Sequence, residues 1–258
     1  MESRDAEEVV EMLARRSEIL RTARDGPRPK RALVEDHDVS RSTVDRAVRE
    51  LESAGFLERR DGDVSLTLSG RLALDGYEEL VDALTGLNEA EPILETLPAD
   101  TSFCVELLRG ATVVESEPHA PHRPVSVLDD ILQQSTTVLS YSTMVVPELV
   151  ERYRDVALGG DCSLEVVANP PVVDTLVTDY AEPLDEAIQS GNVELYETAN
   201  EGPRYSFLVA DRGGDDWVGA TLHGERGITG VLENDRDEAV EWLLDRYEAL
   251  RSDAERLA

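Results

Sequence analysis

The feature that most constrains the fold of this chain is a helix pattern followed directly by a hairpin pattern. Ser40 can cap the helix Arg41–Ala54, and Gly55 can end it in the left-handed conformation. The apolar positions of this helix recur at helical spacing, at Val44, Ala47, Val48 and Leu51. Alternating residues then flank the pair Asp61-Gly62, the preferred two-residue turn of a β-hairpin.

Two more helices are predicted before these patterns. Residues 5–23 carry apolar residues at helical spacing, and the sequence DGPRP, Asp25 to Pro29, cannot continue a helix. A short helix over Lys30–Asp36 follows. Because three helices before a hairpin are typical of a winged helix-turn-helix, we predict this domain for residues 1–70.

A further helix is predicted from Ser69 to about Leu87, inside a linker at residues 71–98. Its apolar residues step by 4, 3, 4 and 3 positions, as in a coiled-coil seam, through Ala73, Tyr77, Leu80, Leu84 and Leu87. About two heptads are present, fewer than a firm coiled-coil prediction requires. Two interpretations stay open: a dimerisation helix, or an ordinary amphipathic helix packed on the second domain.

From about residue 99 the pattern changes to alternating strands and helices, which predicts a C-terminal α/β domain over residues 99–258. The predicted strands are Ser102–Leu108, Thr112–Glu117, Thr137–Thr143, Ser163–Ala168, Asn192–Glu197, Tyr205–Asp211, Trp217–His223 and Ile228–Glu233. The predicted helices are Ser126–Gln134, Val146–Ala157, Pro171–Thr178, Pro183–Ser190 and Asp237–Leu257. The expected fold class is α+β / α/β: a winged helix-turn-helix, a linker helix, and an α/β domain with a mixed sheet and a late antiparallel meander.

Charge is divided unevenly along the chain. The formal net charge is -30, yet residues 1–60 hold 13 basic and 14 acidic side chains, which leaves 12 basic and 41 acidic for the remainder. Lys30 is the only lysine, and the other 24 basic residues are arginine. A nearly neutral segment is positive relative to the rest of so acidic a chain, which favours nucleic-acid binding by this segment. High acidity with so little lysine points to an extreme halophile.

The predicted partner is double-stranded DNA, read by the helix Arg41–Ala54 in the major groove. Arginine can grip guanine through two parallel hydrogen bonds, while the wing and the preceding helix reach the backbone. The predicted DNA-binding residues are Lys30, Arg31, Arg41, Ser42, Thr43, Arg46, Arg49, Arg59 and Arg60. At molar salt the Debye length is about 3 Å, so binding must depend on close contacts at two half-sites, which favours a homodimer. The alternative is an adaptor whose winged helix binds protein.

No common catalytic motif occurs in the C-terminal domain, so we expect no enzyme activity and no cofactor. A phospholipase-type His-x-Lys centre is excluded because the only lysine is Lys30, and no G-x-S-x-G elbow, Walker loop or G-x-G-x-x-G occurs. Cys104 and Cys162 show no metal-ligand spacing, so we expect no metal. A metal- or redox-responsive switch is the alternative, with ligands drawn from Cys104, Glu117, His119, His122 and His223.

A small-molecule effector is a further expectation, because ligands of α/β sheets collect beyond the carboxyl ends of the strands. Hydroxyl and amide groups at those ends suit a small polar molecule. The predicted effector-binding residues are Tyr141, Ser142, Thr143, Asn169, Tyr196 and His223. The alternative is that these residues only cap strands and helices.

Four segments carry a resemblance to a known family: SRSTVDRAVRELESAGFLERRDGDVSLTLSG, RPVSVLDDI, VVPELVERYRDVALGGDCSLEVVANPPVVDTL and GVLENDRDEAVEWLLDRYEAL. With them the chain resembles haloarchaeal winged-helix transcriptional regulators whose C-terminal domain is of the methanogenesis-regulator, FilR-type family. The resemblance implies a transcription factor with a C-terminal effector or interaction domain. One departure is the link EDHDVS, where His37-Asp38 replace the glycine common in helix-turn-helix turns. A TrmB-like sugar-responsive regulator is a near relative.

The sequence carries no signal for a membrane. No apolar run approaches the roughly 20 residues of a membrane span, and the first residues do not form a charged-then-apolar leader. We therefore expect a cytoplasmic protein.

Overall fold

The computed structural model describes residues 5–36, 40–199, 202–224 and 227–258 of the chain. These residues belong to two compact units, an N-terminal unit of residues 1–82 and a C-terminal unit of residues 83–258. The boundary between the units falls inside one long helix, Leu68–Leu94.

The N-terminal unit combines helices with a small sheet. Its helices are α1 (Ala6–Thr22), α2 (Lys30–Asp36), α3 (Arg41–Ala54) and the first part of α4 (Leu68–Leu94), and its strands are β1 (Arg28–Pro29), β2 (Leu57–Arg60) and β3 (Asp63–Leu66). The strands form an antiparallel sheet in the order β1-β3-β2. Three helices followed by a hairpin confirm the winged-helix part of the predicted fold class. The turn between α2 and α3, with His37 and Asp38, lies outside the described residues.

The short strand β1 lies where the sequence predicts only a break. Its two residues pair with Val64 and Asp63 of β3. Because β1 is at the edge of the sheet, Pro29 interrupts no hydrogen bond on its outer side, and proline is tolerated there.

The recognition helix and the wing follow their sequence signals. The Ser40 hydroxyl accepts a hydrogen bond from the Thr43 backbone N–H at 3.2 Å, and Gly55 ends α3 at a φ of 78°. Asp61 and Gly62 have φ angles of 52° and 93°, and a tight two-residue hairpin turn requires positive φ at both. The predicted caps and the predicted turn are therefore confirmed.

The core of the N-terminal unit forms around α3. The predicted apolar face of α3 is fully buried and packs with Leu20 of α1, Leu33 of α2 and Leu74 of α4. Ala73 and Tyr77, two residues of the predicted α4 seam, also pack against this core. Only the later part of the predicted seam is therefore exposed.

The C-terminal unit is built on one mixed sheet. Its strands are β4 (Thr112–Glu115), β5 (Thr137–Ser142), β6 (Ser163–Ala168), β7 (Val193–Thr198), β8 (Ser206–Asp211), β9 (Asp216–Gly224), β10 (Gly227–Asn234) and β11 (Ala254–Arg256). Its helices are the end of α4, α5 (Arg123–Gln134), α6 (Pro147–Gly159), α7 (Pro170–Asp179), α8 (Ala181–Gln189) and α9 (Asp237–Ser252). The strand order is β11-β7-β6-β5-β8-β9-β10-β4. Strands β5, β6 and β7 are parallel and the other pairs are antiparallel, which confirms the predicted mixed sheet with a late meander.

Side chains of the central strands alternate between two apolar layers. Tyr141 and Phe207 face the layer that contains α9, while Val138 and Leu208 face the layer that contains α5, α6 and α8. This alternation follows from the two-residue period of a strand. Because consecutive residues of a strand point to opposite faces, this alternation determines which predicted effector residues lie on the same face of the sheet.

Two predicted elements of the C-terminal unit are wrong. Residues 102–108 were expected to form a strand, but they form a loop with a single 3-10 turn at Val105–Leu107. The last helix ends at Ser252 and not at Leu257, because Ala254–Arg256 pair with β7 as an edge strand. In both cases the local apolar pattern is overridden by partners that are distant in the sequence.

Candidate DNA interface and effector cavity

The exposed face of α3 carries arginine side chains. Arg41, Arg46 and Arg49 are exposed, on the side opposite the buried Val44, Ala47, Val48 and Leu51. Arg41 and Arg46 make no hydrogen bond or ion pair with any described residue, and Arg49 donates from Nε to the Asp45 carbonyl oxygen at 3.1 Å. These guanidinium groups are therefore available to an anionic ligand.

The hydroxyl groups at the start of α3 are part of its cap. The oxygens of Ser42 and Thr43 each lie 2.8 Å from the Ser40 hydroxyl oxygen, and both residues are exposed. Their position at the first turn of α3 is where a recognition helix meets base edges or phosphates.

The predicted backbone-contacting arginines have acidic neighbours. Arg31 pairs with Glu35 at 2.8 Å, Arg59 with Glu52 at 3.0 Å, and Arg60 with Glu58 at 3.1 Å. Exposed pairs of this kind contribute only about 0–1 kcal/mol each, so a phosphate can replace the carboxylate at small cost. The side chain of Lys30 lies outside the described part of the chain.

Arginines of α1 contrast with those of α3. Arg16 pairs with Glu50 at 3.1 Å, and Arg21 and Arg24 both reach Glu78 of α4, at 2.8 and 2.7 Å. These cations join helices within the N-terminal unit. The unit therefore contains two classes of arginine, one that holds helices together and one on the outer face of α3.

The C-terminal unit contains a cavity of about 130 Å³ on the face of the sheet covered by α5–α8. Most of its wall is aliphatic, including Leu128, Leu149, Leu176, Leu184, Val166 and Leu195. The remainder includes a few hydroxyl groups, one imidazole and the side chain of Arg154. The cavity thus offers much apolar surface and few polar contacts, as small-molecule sites commonly do.

Ser206 and His223 form the polar corner of this cavity, and Thr143, which is not part of the wall, contacts Ser206. The Ser206 hydroxyl oxygen lies 3.0 Å from His223 Nε2 and 3.1 Å from the Thr143 hydroxyl oxygen. It also accepts a hydrogen bond from the Thr143 backbone N–H at 3.0 Å. These contacts join β8 and β9 to the end of β5.

His223 is neutral at physiological pH. Burial lowers the pKa of His223 to about 4, because the charged imidazolium loses its hydration. Its Nδ1 is buried and has no hydrogen-bond partner within the described ranges. The Ser206–His223 pair therefore lacks, among the described residues, the carboxylate that orients the histidine of a catalytic triad.

The structure brings together some of the predicted effector residues and separates others. Ser142, Thr143 and His223 lie at one edge of the sheet, where Ser142 lines the cavity and its hydroxyl donates to the Met144 carbonyl oxygen at 3.0 Å. Tyr141 borders the cavity, but its ring packs on the opposite face against Phe207.

Asn169 and Tyr196 serve other parts of the unit. The Asn169 side chain caps α7 by accepting from the Val172 N–H at 3.1 Å. The Tyr196 hydroxyl donates to Glu194 at 2.5 Å, and the Arg251 guanidinium lies 3.3 Å from its ring centre, on the other face of the sheet. Neither residue is part of the cavity wall.

Sequence reasoning missed several polar residues of the cavity. Ser206, Thr221, Ser140 and Tyr153 all line it, and Ser140 and Tyr153 hydrogen-bond with each other. The missed signal is the antiparallel neighbour: the amino end of β8 lies at the same sheet edge as the carboxyl end of β5. Because residues two apart on a strand face the same side, the alternation along β9 would then place Thr221 in the cavity wall together with His223.

The candidate metal ligands do not form a shared site in the described part of the chain. Glu117 contacts His119 at 3.1 Å and also binds Arg123 at 2.6 Å. Within the described ranges, no group of three or more His, Cys, Asp or Glu side chains has an arrangement that could hold a metal ion. Burial raises the pKa of the Cys104 thiol to about 11, so its thiolate is disfavoured.

None of the described helices combines the length and apolar composition that a membrane crossing requires.

The fold and its sites define a winged-helix protein with a C-terminal α/β unit. Its sequence matches the model of the methanogenesis regulatory protein FilR1, middle domain, over residues 121–253, and the chain belongs to this family. The HVO_A0261 N-terminal domain model matches residues 4–89. No curated protein matches the chain in sequence.

Two solved structures show weak similarity. TrmBL2, described as an archaeal chromatin protein with a novel mode of DNA binding, is 14% identical with a TM-score of 0.44, over 98% of this chain and 100% of its own. Nuc from Salmonella typhimurium, a phospholipase D family member, is 12% identical with a TM-score of 0.45, over 57% of this chain and 96% of its own. At this level of similarity neither structure supports a functional argument.

Proposed function

We propose that the chain is a sequence-specific DNA-binding transcriptional regulator, a homodimer whose C-terminal unit senses a small molecule. The observation that carries this proposal is the outer face of α3, where exposed Arg41 and Arg46 have no acidic partner among the described residues. By contrast, Arg16, Arg21 and Arg24 of the same unit are each paired with a carboxylate. Guanidinium groups that have no acidic partner, on a helix that can enter the major groove, can bind base edges and phosphates.

A regulatory role is supported by the family to which the chain belongs, since its name is that of a methanogenesis regulatory protein. In this proposal α3 reads the major groove, and the wing with Arg59 and Arg60 binds the backbone. Acidity with one lysine supports a halophilic, cytoplasmic setting, where high salt weakens long-range attraction and close contacts carry the binding.

Dimerisation is proposed through α4. Leu84 and Leu87 are 50% and 44% exposed on this helix, although the helix buries Ala83, Ala90 and Ile93 within its own unit. Exposed leucines one turn apart are a suitable contact for a second copy of the same helix. A dimer would engage two half-sites at once, and the two contacts together bind more tightly than either alone.

The C-terminal unit is assigned a sensing role and no catalytic one. Its cavity has walls suited to a small ligand, and the Ser206–His223 pair has no orienting carboxylate among the described residues. A ligand that binds one conformational state of the regulator more tightly than the other would then alter the affinity of the regulator for DNA.

The test is to map genomic binding by immunoprecipitation and sequencing, from cells kept at their native salt. Sharp peaks that share a palindromic motif near promoters are expected for a dimeric regulator. An Arg46→Ala/Arg49→Ala strain should lose these peaks, whereas Arg204→Ala, the loss of one exposed arginine in the C-terminal unit, should retain them. Absence of enrichment by an expressed and folded protein would contradict DNA binding and support the protein-binding adaptor.

A further inference from the structure

We propose that the cavity of the C-terminal unit binds a compact, uncharged, largely apolar molecule with one hydrogen-bonding group, which is received at the polar corner formed by Ser206 and His223. This inference rests on the proposed sensing role of the unit and names the chemical class of its effector. It replaces the small polar molecule expected from the sequence.

The size of the cavity limits the ligand to about one ring. Its volume is about 130 Å³. An engineered apolar cavity of roughly 150 Å³ binds benzene, so a single six-membered ring with one small substituent is the matching size.

The charge of the lining excludes an anionic ligand. Arg154 is the one fully charged side chain among the described lining residues. Its guanidinium is already paired with Glu151 at 2.6 Å and Asp155 at 2.9 Å. A ligand carboxylate would have to displace two carboxylates from this single guanidinium, and the described remainder of the wall offers no second cation to offset the cost of burying a charge.

The polar corner explains why the ligand needs a hydrogen-bonding group. His223 Nδ1 is buried and has no hydrogen-bond partner in the described part of the chain. Thr221, which is 5% exposed, adds a hydroxyl to the lining near His223. An unsatisfied buried polar group costs about 1–3 kcal/mol, which a donor or acceptor on the ligand can offset.

The small number of polar groups in the lining also disfavours a sugar as the ligand. A sugar carries a hydroxyl on nearly every carbon, and each one needs a partner once it is buried. The aliphatic walls formed by Leu149, Leu176 and Leu184 offer none. A phenol-like or cyclic-alcohol-like molecule, with one hydroxyl and an apolar remainder, fits the lining better.

The experiment is isothermal titration calorimetry of the full chain with phenol, toluene and benzoate, which are similar in size. Phenol should bind saturably and at least tenfold more tightly than toluene, and benzoate should not bind. In Ser206→Ala, phenol affinity should fall to that of toluene while toluene affinity is unchanged. No DNA is present, so the outcome is independent of the DNA-binding proposal.

A pair of variants on α6 provides the control for location. Leu149→Trp fills the cavity and should abolish phenol binding, whereas Leu158→Trp, at a position that is 54% exposed on the same helix, should not affect it. Circular dichroism and a thermal melt establish that each variant is folded. No saturable phenol binding by the folded wild-type protein, equal affinity for toluene, tighter binding of benzoate, or unchanged binding in folded Leu149→Trp would each overturn the proposal.

Discussion

The hydroxyl oxygen of Ser206 lies 3.0 Å from Nε2 of His223, and this contact joins two antiparallel strands at one edge of the central sheet. The register places Ser206 directly opposite Thr221, so His223 is reached diagonally, two residues further along β9. Because the same oxygen accepts from the Thr143 N–H, three neighbouring strands depend on a single hydroxyl. Protonation of His223 should therefore affect the stability of this edge.

We predict that His223 makes the folded protein less stable in mild acid. Burial lowers the folded-state pKa of His223 to about 4, while the unfolded value is about 6.5. Between these values the unfolded chain binds the extra proton, so the contribution of His223 to stability is present above about pH 6.5 and is lost as pH falls towards 4. From about pH 7 to about pH 5 the loss should be about 2 kcal/mol.

The measurement is denaturant unfolding against pH at constant ionic strength, for the wild-type protein and for His223→Gln. The carboxylates titrate in both proteins, so the difference between the two curves isolates the histidine. Parallel curves between pH 7 and pH 5 would show that His223 is not buried in the neutral form.

We predict opposite effects of alanine at two glycines of α4. A Cβ on Gly70 would lie 2.0 Å from the Phe56 carbonyl oxygen, so Gly70→Ala forces backbone apart and should destabilise the N-terminal unit by about 1–3 kcal/mol. Gly76 has nothing within 4 Å of the same position, so Gly76→Ala should stabilise α4 by roughly 0.5–1 kcal/mol. Unfolding midpoints of the two variants provide the test. Equal destabilisation by both substitutions would rule out the contact with Phe56 as the cause.

The fold was predictable where local signals and tertiary packing agree. For α3 the cap, the apolar face and the final glycine all indicate one helix, and the structure has the same bounds. For the end of α9 they disagree, because Ala254 continues the helical spacing while its backbone pairs with Thr198 of β7. No local pattern can reveal a strand partner so far away in the sequence.

The site was predictable only in part, for a similar reason. His223 and Thr143 follow from the rule that ligands collect beyond the carboxyl ends of strands. Ser206 begins an antiparallel strand and does not fit that rule. Tyr196 satisfies the rule but points to the other face, since only the register decides which side of the sheet a residue faces.

We predict that the exposed leucines of α4 hold the dimer. Leu84→Glu/Leu87→Glu places two charges on an apolar contact and should convert the dimer to a monomer. Leu158→Glu/Val177→Glu, at positions that are 54% and 57% exposed on α6 and α7, should remain dimeric. Light scattering coupled to size exclusion, at the salt concentration of the cells, gives the mass. A monomeric wild-type protein, or a dimer that survives the α4 substitutions, would refute this interface.

We predict that α3 and the wing contribute differently to DNA binding. Arg46→Ala and Arg49→Ala should each weaken binding to the genomic target by about 1–3 kcal/mol and relax its sequence preference. Arg60 lies at the tip of the wing, next to Glu58, and is proposed to contact phosphate. Arg60→Ala should therefore weaken binding to all DNA sequences similarly and lower the salt dependence by about one phosphate contact.

Fluorescence anisotropy with the mapped operator and a scrambled duplex of equal length, over a series of salt concentrations, separates the two effects. Arg204→Ala removes the same charge from the C-terminal unit and should leave both affinities unchanged. If Arg46→Ala and Arg49→Ala remain folded and bind the operator as tightly as the wild-type protein, α3 does not read the DNA. A loss of affinity that is equal for operator and scrambled duplex would instead assign these arginines to the phosphate backbone, because only base contacts depend on sequence.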